Sequence, residues 1–267
     1  MRRERFCLRF FDLFAGLEGK RAGSFAKYGH RLWEGRDGIG FVGIILSSKL
    51  AVKFRIRGNL RFLSHQETMR VLQRAMVRAG MDISYSQGYN PHPQLSLPLP
   101  RSVGVESDDE LMCVCIKDGV TGSEQSDKVS EDLRVRLERQ LPEGCEVISV
   151  ELVGRDKNYY PVSARYVFRL REDTLQEQVR AAAAEVLKSE KLPVERRINE
   201  AGNMRTVDVR GFIRSVDISG LDVAVTAAIL PVGTIRVDEI MQLLAMDESM
   251  LAVPVRRECV EWRGCVS

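Results

Sequence analysis

From Ala51 onward the apolar and polar positions settle into two recurring periods. Val52, Phe54 and Ile56 alternate with Lys53, Arg55 and Arg57, the two-residue repeat of a half-buried strand. Gly58 and Asn59 turn the chain. Ser64, followed three residues later by Glu67, predicts a capping box, and Met69, Leu72, Met76 and Ala79 then recur at helical spacing until Gly80 stops the helix. Arg70, Arg74 and Arg78 stand four residues apart on its other face. Beyond it the pattern predicts a short strand around Ile83–Tyr85, a loop over Gly88–Pro93, an extended segment over Leu95–Val105 and a strand over Glu110–Ile116. A helix over Ser126–Gln140, stopped by Pro142 and Gly144, and a strand over Cys145–Val153 complete the unit. The order β, α, β, β, α, β is the split βαβ arrangement of a ferredoxin-like domain, an antiparallel sheet with two helices on one face.

The second half nearly repeats that order, with one strand in excess. Tyr166, Phe168 and Leu170 alternate, Thr174 and Glu177 offer a second capping box before an alanine-rich helix through Leu187, and Val194–Ile198 pairs across the 200–203 turn with Arg205–Val209. A strand over Leu221–Leu230, a helix over Val237–Leu244 and a strand over Leu251–Arg257 follow. The predicted fold class is therefore α+β, with two tandem ferredoxin-like βαββαβ domains at 51–154 and 163–267. The polar stretch Gly154–Ser163 reads as the linker between them. Residues 1–50 lack any sustained period and are rich in glycine, and are expected to be a disordered or artefactual extension. Gly38, Gly40 and Gly43 match GxGxxG there without the strand and helix that a dinucleotide site needs.

Composition narrows the class. Of 267 residues, 44% are hydrophobic and 29% charged, and no apolar run approaches the ~20 residues of a membrane span, so a soluble, cytoplasmic protein is expected. The six cysteines form no CxxC pair, which favours reduced thiols over a disulfide framework, with Cys113 and Cys115 on one face of a strand. The net charge of +3 is unevenly spread: residues 51–104 carry eight Lys/Arg against two Asp/Glu, and residues 105–267 carry 22 against 30. A basic segment on a mildly acidic body suits a polyanion, or simply a solvated face.

Candidate chemistry gathers between Gly58 and Gly104. His65, at the first helical position, and His92, between two prolines, offer imidazoles for general acid or base work, with Tyr85 assisting. Each also has a structural reading, beside a helix cap or in a loop stiffened by proline. Arg57, Arg61, Ser64, Arg74, Gln87, Tyr89, Asn90 and Arg101 are the candidate substrate-binding residues: rings for stacking, amides for base edges and arginines for phosphate, as RNA requires. A metal site of His65, His92 and Glu67 lacks any familiar ligand spacing, and no P-loop, GxSxG or HExxH is present.

These residues also carry a resemblance. Leu60–His65, Met69-Arg70, Arg78-Ala79-Gly80, the run from Tyr85 to Pro93, and Asp208-Val209-Arg210 are similar to an uncharacterised bacterial radical-SAM-associated family, DUF2344, with Gln66 and Tyr89 where many relatives carry Leu and Phe. Its members occur beside or fused to cobalamin-binding radical SAM proteins, near ribosomal-protein and ribonuclease genes. The resemblance implies an accessory, substrate-binding role with a radical SAM partner, presenting RNA or a ribosomal component through the His65/His92 face. That partner would carry the iron-sulfur cluster, S-adenosylmethionine and cobalamin, since Cys113-Val114-Cys115 is not the CxxxCxxC run that holds such a cluster. Tandem ferredoxin-like units are also similar in architecture to the endonucleases that process CRISPR repeats. The alternative is therefore a metal-independent RNA-cleaving or RNA-modifying enzyme using His65.

Overall fold

A computed structural model describes residues 48–117, 123–197 and 202–266. The proposed extension lies outside the described residues except at its end, where Ser48, Lys49 and Leu50 already belong to the first strand. This strand, β1 (Ser48–Ile56), turns Leu50, Val52, Phe54 and Ile56 inward, as alternation predicts. The helix α1 (His65–Arg78) begins at a complete Ser64–Glu67 capping box and ends at Gly80, whose φ of +68° is a left-handed conformation that glycine adopts without strain.

The chain forms a mixed α+β fold built on a mainly antiparallel eight-stranded sheet. Its members after β1 are β2 (Leu95–Ser96), β3 (Glu106–Ile116), β4 (Cys145–Val153), β5 (Lys157–Arg169), β8 (Ile213–Ser219), β9 (Asp222–Ala228) and β10 (Arg256–Val266). They lie in the order β4-β1-β3-β10-β5-β9-β8, with β2 added on β3. The exception to antiparallel pairing is short: Arg256 and Arg257 of β10 run parallel to Glu106 and Ser107 of β3. Between β5 and β8 the ribbon β6 (Pro193–Arg197) and β7 (Met204–Asp208) pairs only with itself. The tip expected to join them lies in part outside the described residues.

Helices α1 and α2 (Ser123–Glu138) cover one face of the first strands, where Phe54, Leu72, Met76, Met112 and Leu137 form a dry core. Helices α3 (Gln176–Lys188) and α4 (Val237–Leu243) cover the later strands, with Phe168, Leu170, Val179, Val223 and Ile240 between them. No described helix is long and apolar enough to cross a membrane.

Several boundaries differ from the sequence reading. Ile83 and Tyr85 make single bridges, to Ile116 and Pro93, rather than a strand. Strand β3 starts four residues early, carrying Ser107, Asp108 and Asp109 whose polarity hides it. Strand β10 starts at Arg256, because Leu251 makes only a lone bridge to Leu170. Thr174 does not cap α3; its hydroxyl turns to Glu172 at 3.2 Å, and a 3-10 turn over Asp173–Leu175 leads into the helix. The excess strand is resolved by β8, absent from the sequence reading, which takes the sheet edge while β6 and β7 stand apart.

The polar stretch expected as a linker is mostly strand. Lys157–Ser163 forms the first half of β5 and pairs with the end of β10. Its ring Tyr159 and the β10 ring Trp262 pack on Ala51, Leu111 and Cys113, the second face of the first strands. Lys49 Nζ holds this cover in place, donating to the Lys157 carbonyl at 2.7 Å and to Asn158 Oδ1 at 3.0 Å. A strand that is polar in sequence is thus explained by what it lies upon: Tyr159, with Trp262 of β10, covers the apolar second face, while Tyr160 turns to water.

Candidate functional site

The sequence-predicted residues fall into two groups. The first is a loop closed at its base by backbone bonds. Ser84 N donates to Cys115 O at 2.8 Å, Cys115 N to Gln94 O at 2.9 Å, and Gln94 N to Ser84 O at 2.8 Å. Nearer the tip Ser86 N donates to His92 O at 2.8 Å, and His92 N returns a bond to Ser86 Oγ at 2.9 Å. Ser86 thus closes the loop twice. Beyond that closure Gln87, Tyr89, Asn90 and His92 all face solvent, and Tyr89 is 100% exposed. Tyr85 is also exposed, one residue before the closure.

The second group surrounds the start of α1. His65 is half-buried and lines a small cavity with Leu63, Thr68, Leu97, Leu99, Arg101 and Glu110. Neither His92 nor Tyr85 contributes to that cavity. Ser64 is occupied by the cap: its Oγ accepts from Glu67 N at 3.3 Å and donates to the Glu67 carboxylate at 2.7 Å. The Ser64 bonds hold the Glu67 carboxyl below the usual carboxylate range, so Glu67 serves the helix end. Among the described residues no group of three or more His, Cys, Asp and Glu side chains is gathered as metal ligands would be.

The arginines divide in the same way. Arg57 is held by Glu106 at 3.3 Å and by Asp108. Arg101 is buried, and its two terminal nitrogens donate to the carbonyls of Leu60 (3.1 Å), Arg61 (2.7 Å), Leu63 (3.3 Å), Ser102 (3.3 Å) and Val105 (2.5 Å). It stitches the 3-10 turn Gly58–Phe62 to the loop before β3. Burial lowers the basicity of Arg101, Glu110 opposes that, and the neighbouring Arg257 charge adds to it. Arg61 donates to Gly58 O at 2.9 Å and lays its guanidinium 4.2 Å above the Phe62 ring. Arg74 is exposed with Arg70 and Arg78 along α1, although Arg78 also grips the Gln140 carbonyl at 2.6 Å. The expected phosphate ligands therefore split, with Arg61 and Arg74 left accessible and Arg57 and Arg101 committed to the fold.

A buried charge cluster escaped the sequence reading. Arg257 of β10 pairs with Glu110 of β3 and donates to Ser107 Oγ at 3.4 Å and to the Pro100 carbonyl at 3.3 Å. The available signal was Glu110 itself, which stands at the head of the apolar run Leu111–Val114. Asp208-Val209-Arg210 likewise acts as a stitch: Asp208 Oδ1 accepts from the amides of Leu192 (2.9 Å) and Arg210 (3.0 Å), and Arg210 donates to the Ser189 carbonyl at 2.9 Å. Burial pushes the thiols of Cys113 and Cys145 up to about 11 and about 12, the signature of packing rather than nucleophilic chemistry.

Comparison with known proteins gives one family. The family described as "Uncharacterized protein conserved in bacteria (DUF2344)" matches residues 49–249. No curated protein matches. Among solved structures, a chain of "Crystal Structure of a Cbf5-Nop10-Gar1 Complex" is similar over 81% of this chain at 11% identity, with a TM-score of 0.39. This chain spans about half, 49%, of that chain's length.

Proposed function

The chain belongs to the uncharacterised bacterial family DUF2344, and from that premise we propose that it is an accessory substrate-binding protein acting with a radical SAM partner, presenting RNA or a ribosomal component for modification. The observation that carries the binding half of this reading is the Ser84–Gln94 loop. A tyrosine held wholly in water at the tip of a hydrogen-bonded loop gains nothing for the fold, and it offers a ring on which an unpaired base can stack. Gln87 and Asn90 beside it carry amides that match base edges, and Arg70 and Arg74 on α1 supply accessible positive charge.

The partner half rests on the resemblance of the motif from Leu60 to Pro93 to radical-SAM-associated proteins. The iron-sulfur cluster, S-adenosylmethionine and cobalamin belong in this reading to the partner, and both proteins to the cytoplasm. The strand orders β4-β1-β3-β2 and β10-β5-β9-β8, each with two helices, support the finer description of two tandem ferredoxin-like units sharing one sheet.

The test is affinity purification of the full chain from its native host, beside a Tyr89→Ala/His92→Ala variant and a His65→Ala variant. A defined RNA together with a radical SAM protein on the parent chain, the RNA lost from the loop variant, is the expected result. RNA cleavage by the purified chain, abolished in His65→Ala with binding retained, would replace this reading with that of a metal-independent nuclease.

A further inference from the structure

A second cleft lies away from the loop and shares no residue with it. It has a volume of about 490 Å³, within the size range of small-molecule sites. One wall is the 3-10 turn Gly58–Phe62 with Ser102–Val105, and the other is Arg171, α4 and the segment leading to β10. Three of its apolar side chains are unusually open to water: Phe62 is 56%, Val103 60% and Val253 50% exposed. Among the described residues the Arg61 guanidinium lies over one face of Phe62, and the rest of this apolar surface stays open.

The arginines around these side chains bond backbone or a ring rather than an opposite charge, with Arg61 also donating to the Gly58 carbonyl at 2.9 Å. Arg171 spends its Nε on the Leu251 carbonyl at 2.7 Å, which fixes the stem and leaves the terminal nitrogens to the cleft. Arg61 lies flat on Phe62. Asp238 and Glu248 stand on the α4 side. Among the described residues none of these four charged groups forms an ion pair, although Arg55 of β1 and Arg165 and Arg169 of β5 do.

We propose that this cleft binds a single ribonucleotide unit, with its base against the Phe62–Arg61 stack, its phosphate on Arg171 and its ribose hydroxyls on Asp238 or Glu248. Each part of the lining asks for a different part of that ligand. A planar aromatic–guanidinium stack between exposed valines suits a base. Free guanidinium ends suit a phosphate. Carboxylates accept bonds only, so they call for a donor, and the 2′-hydroxyl is the donor that separates RNA from DNA. An apolar ligand would leave all four charges unused, and a bare phosphate would leave the Phe62 ring and the valines in water. The inference rests on the RNA reading above for the source of the nucleotide, but not for the chemistry of the cleft.

Calorimetric titration of the full chain with the four ribonucleoside 5′-monophosphates and their 2′-deoxy counterparts tests it. The expected result is ribonucleotide binding that falls about tenfold or more in Phe62→Ala and in Arg171→Gln, with melting temperature followed in each because Arg171 also holds Leu251. An Asp238→Asn/Glu248→Gln double variant should bring the ribo and deoxy affinities together. Phe62→Tyr keeps a ring and should restore binding if Phe62→Ala fails to fold. Absence of binding at millimolar nucleotide, or binding indifferent to both Phe62→Ala and Arg171→Gln, overturns the proposal. If RNA oligomers still bind in a Tyr89-dependent way while mononucleotides do not, the cleft is refuted and the accessory function stands. Binding of mononucleotides through Phe62 without any RNA on the native protein would be the reverse.

Discussion

Glu110 and Arg257 form a buried ion pair between side chains 147 residues apart in sequence, 1% exposed at the arginine and 5% at the carboxylate. The pair sits where β3 meets β10, so it joins the first strands to the last. Taking one partner away leaves a charge stranded in the core. Glu110→Gln or Arg257→Met is expected to destabilise the protein by about 3–5 kcal/mol, read by urea unfolding. A Glu110→Leu/Arg257→Met double variant should recover most of that loss; equal losses in single and double variants would show that the packing, rather than the charge, is what matters.

Arg101 is expected to behave as a fold residue, not a phosphate ligand. Lysine has one ammonium where arginine spreads two donor ends over the Leu60, Arg61, Leu63 and Val105 carbonyls. Arg101→Lys should cost about 2 kcal/mol or more and speed amide exchange in the Gly58–Phe62 turn. RNA affinity that drops without either change would contradict this assignment.

Gly144 has a φ of +86°, and an added Cβ would come within 2.6 Å of the Arg57 carbonyl carbon's oxygen. Both the backbone and the space refuse a side chain. Gly144→Ala is expected to lose more than about 1 kcal/mol and to lower the midpoint of thermal unfolding.

The Asp208 carboxyl lies below its ordinary range because the Leu192 amide, and then the Arg210 amide, donate to its charged form. Its folded value is depressed, so its contribution to stability is present above the ordinary aspartate range and is lost as pH falls through the lowered value. Asp208→Asn should therefore flatten the acid limb of the stability profile relative to the parent, with little change in slope above neutral pH. Parallel acid limbs would remove Asp208 from the account.

Tyr89→Ala should leave the melting temperature unchanged, since the ring touches only solvent. It should weaken RNA binding by about tenfold, the scale of one lost stacking partner. Ser86→Ala tests the frame instead: exchange at the His92 amide should rise while Tyr89 remains as exposed as before.

How far the sequence reveals this molecule depends on where each signal resides. The capping box at Ser64, the buried face of α1 and the whole of β4 are local patterns that survive into the structure, whereas the equally local Thr174–Glu177 box gives way to a 3-10 turn. Strands β3 and β5 begin in polar residues, Ser107 to Asp109 and Lys157 to Asn158, whose partners lie far along the chain. Their extent cannot be read from a periodicity that they do not show. The candidate site divides on the same ground. The loop around Tyr89 was legible because turn residues and exposed rings need no partner, whereas an arginine discloses its role only through what faces it. Arg57 meets Glu106 and Asp108, Arg101 meets carbonyls, and Arg61 meets a phenyl ring; the three look alike in the sequence.

The placement of β10 between β3 and β5 has a consequence for synthesis. Among the described strands it is the last to leave the ribosome, yet it is an interior member of the sheet. Until Arg256–Val266 emerges, one side of β5 and the Glu106–Ser107 end of β3 wait with open backbone edges, and Glu110 waits without its counterion. Such unpaired edges invite association with other nascent chains, and closure over so long a sequence separation is slow. The nascent protein therefore passes through a stage with most of its helices and strands already made, while the seam that unites them still lies inside the exit tunnel.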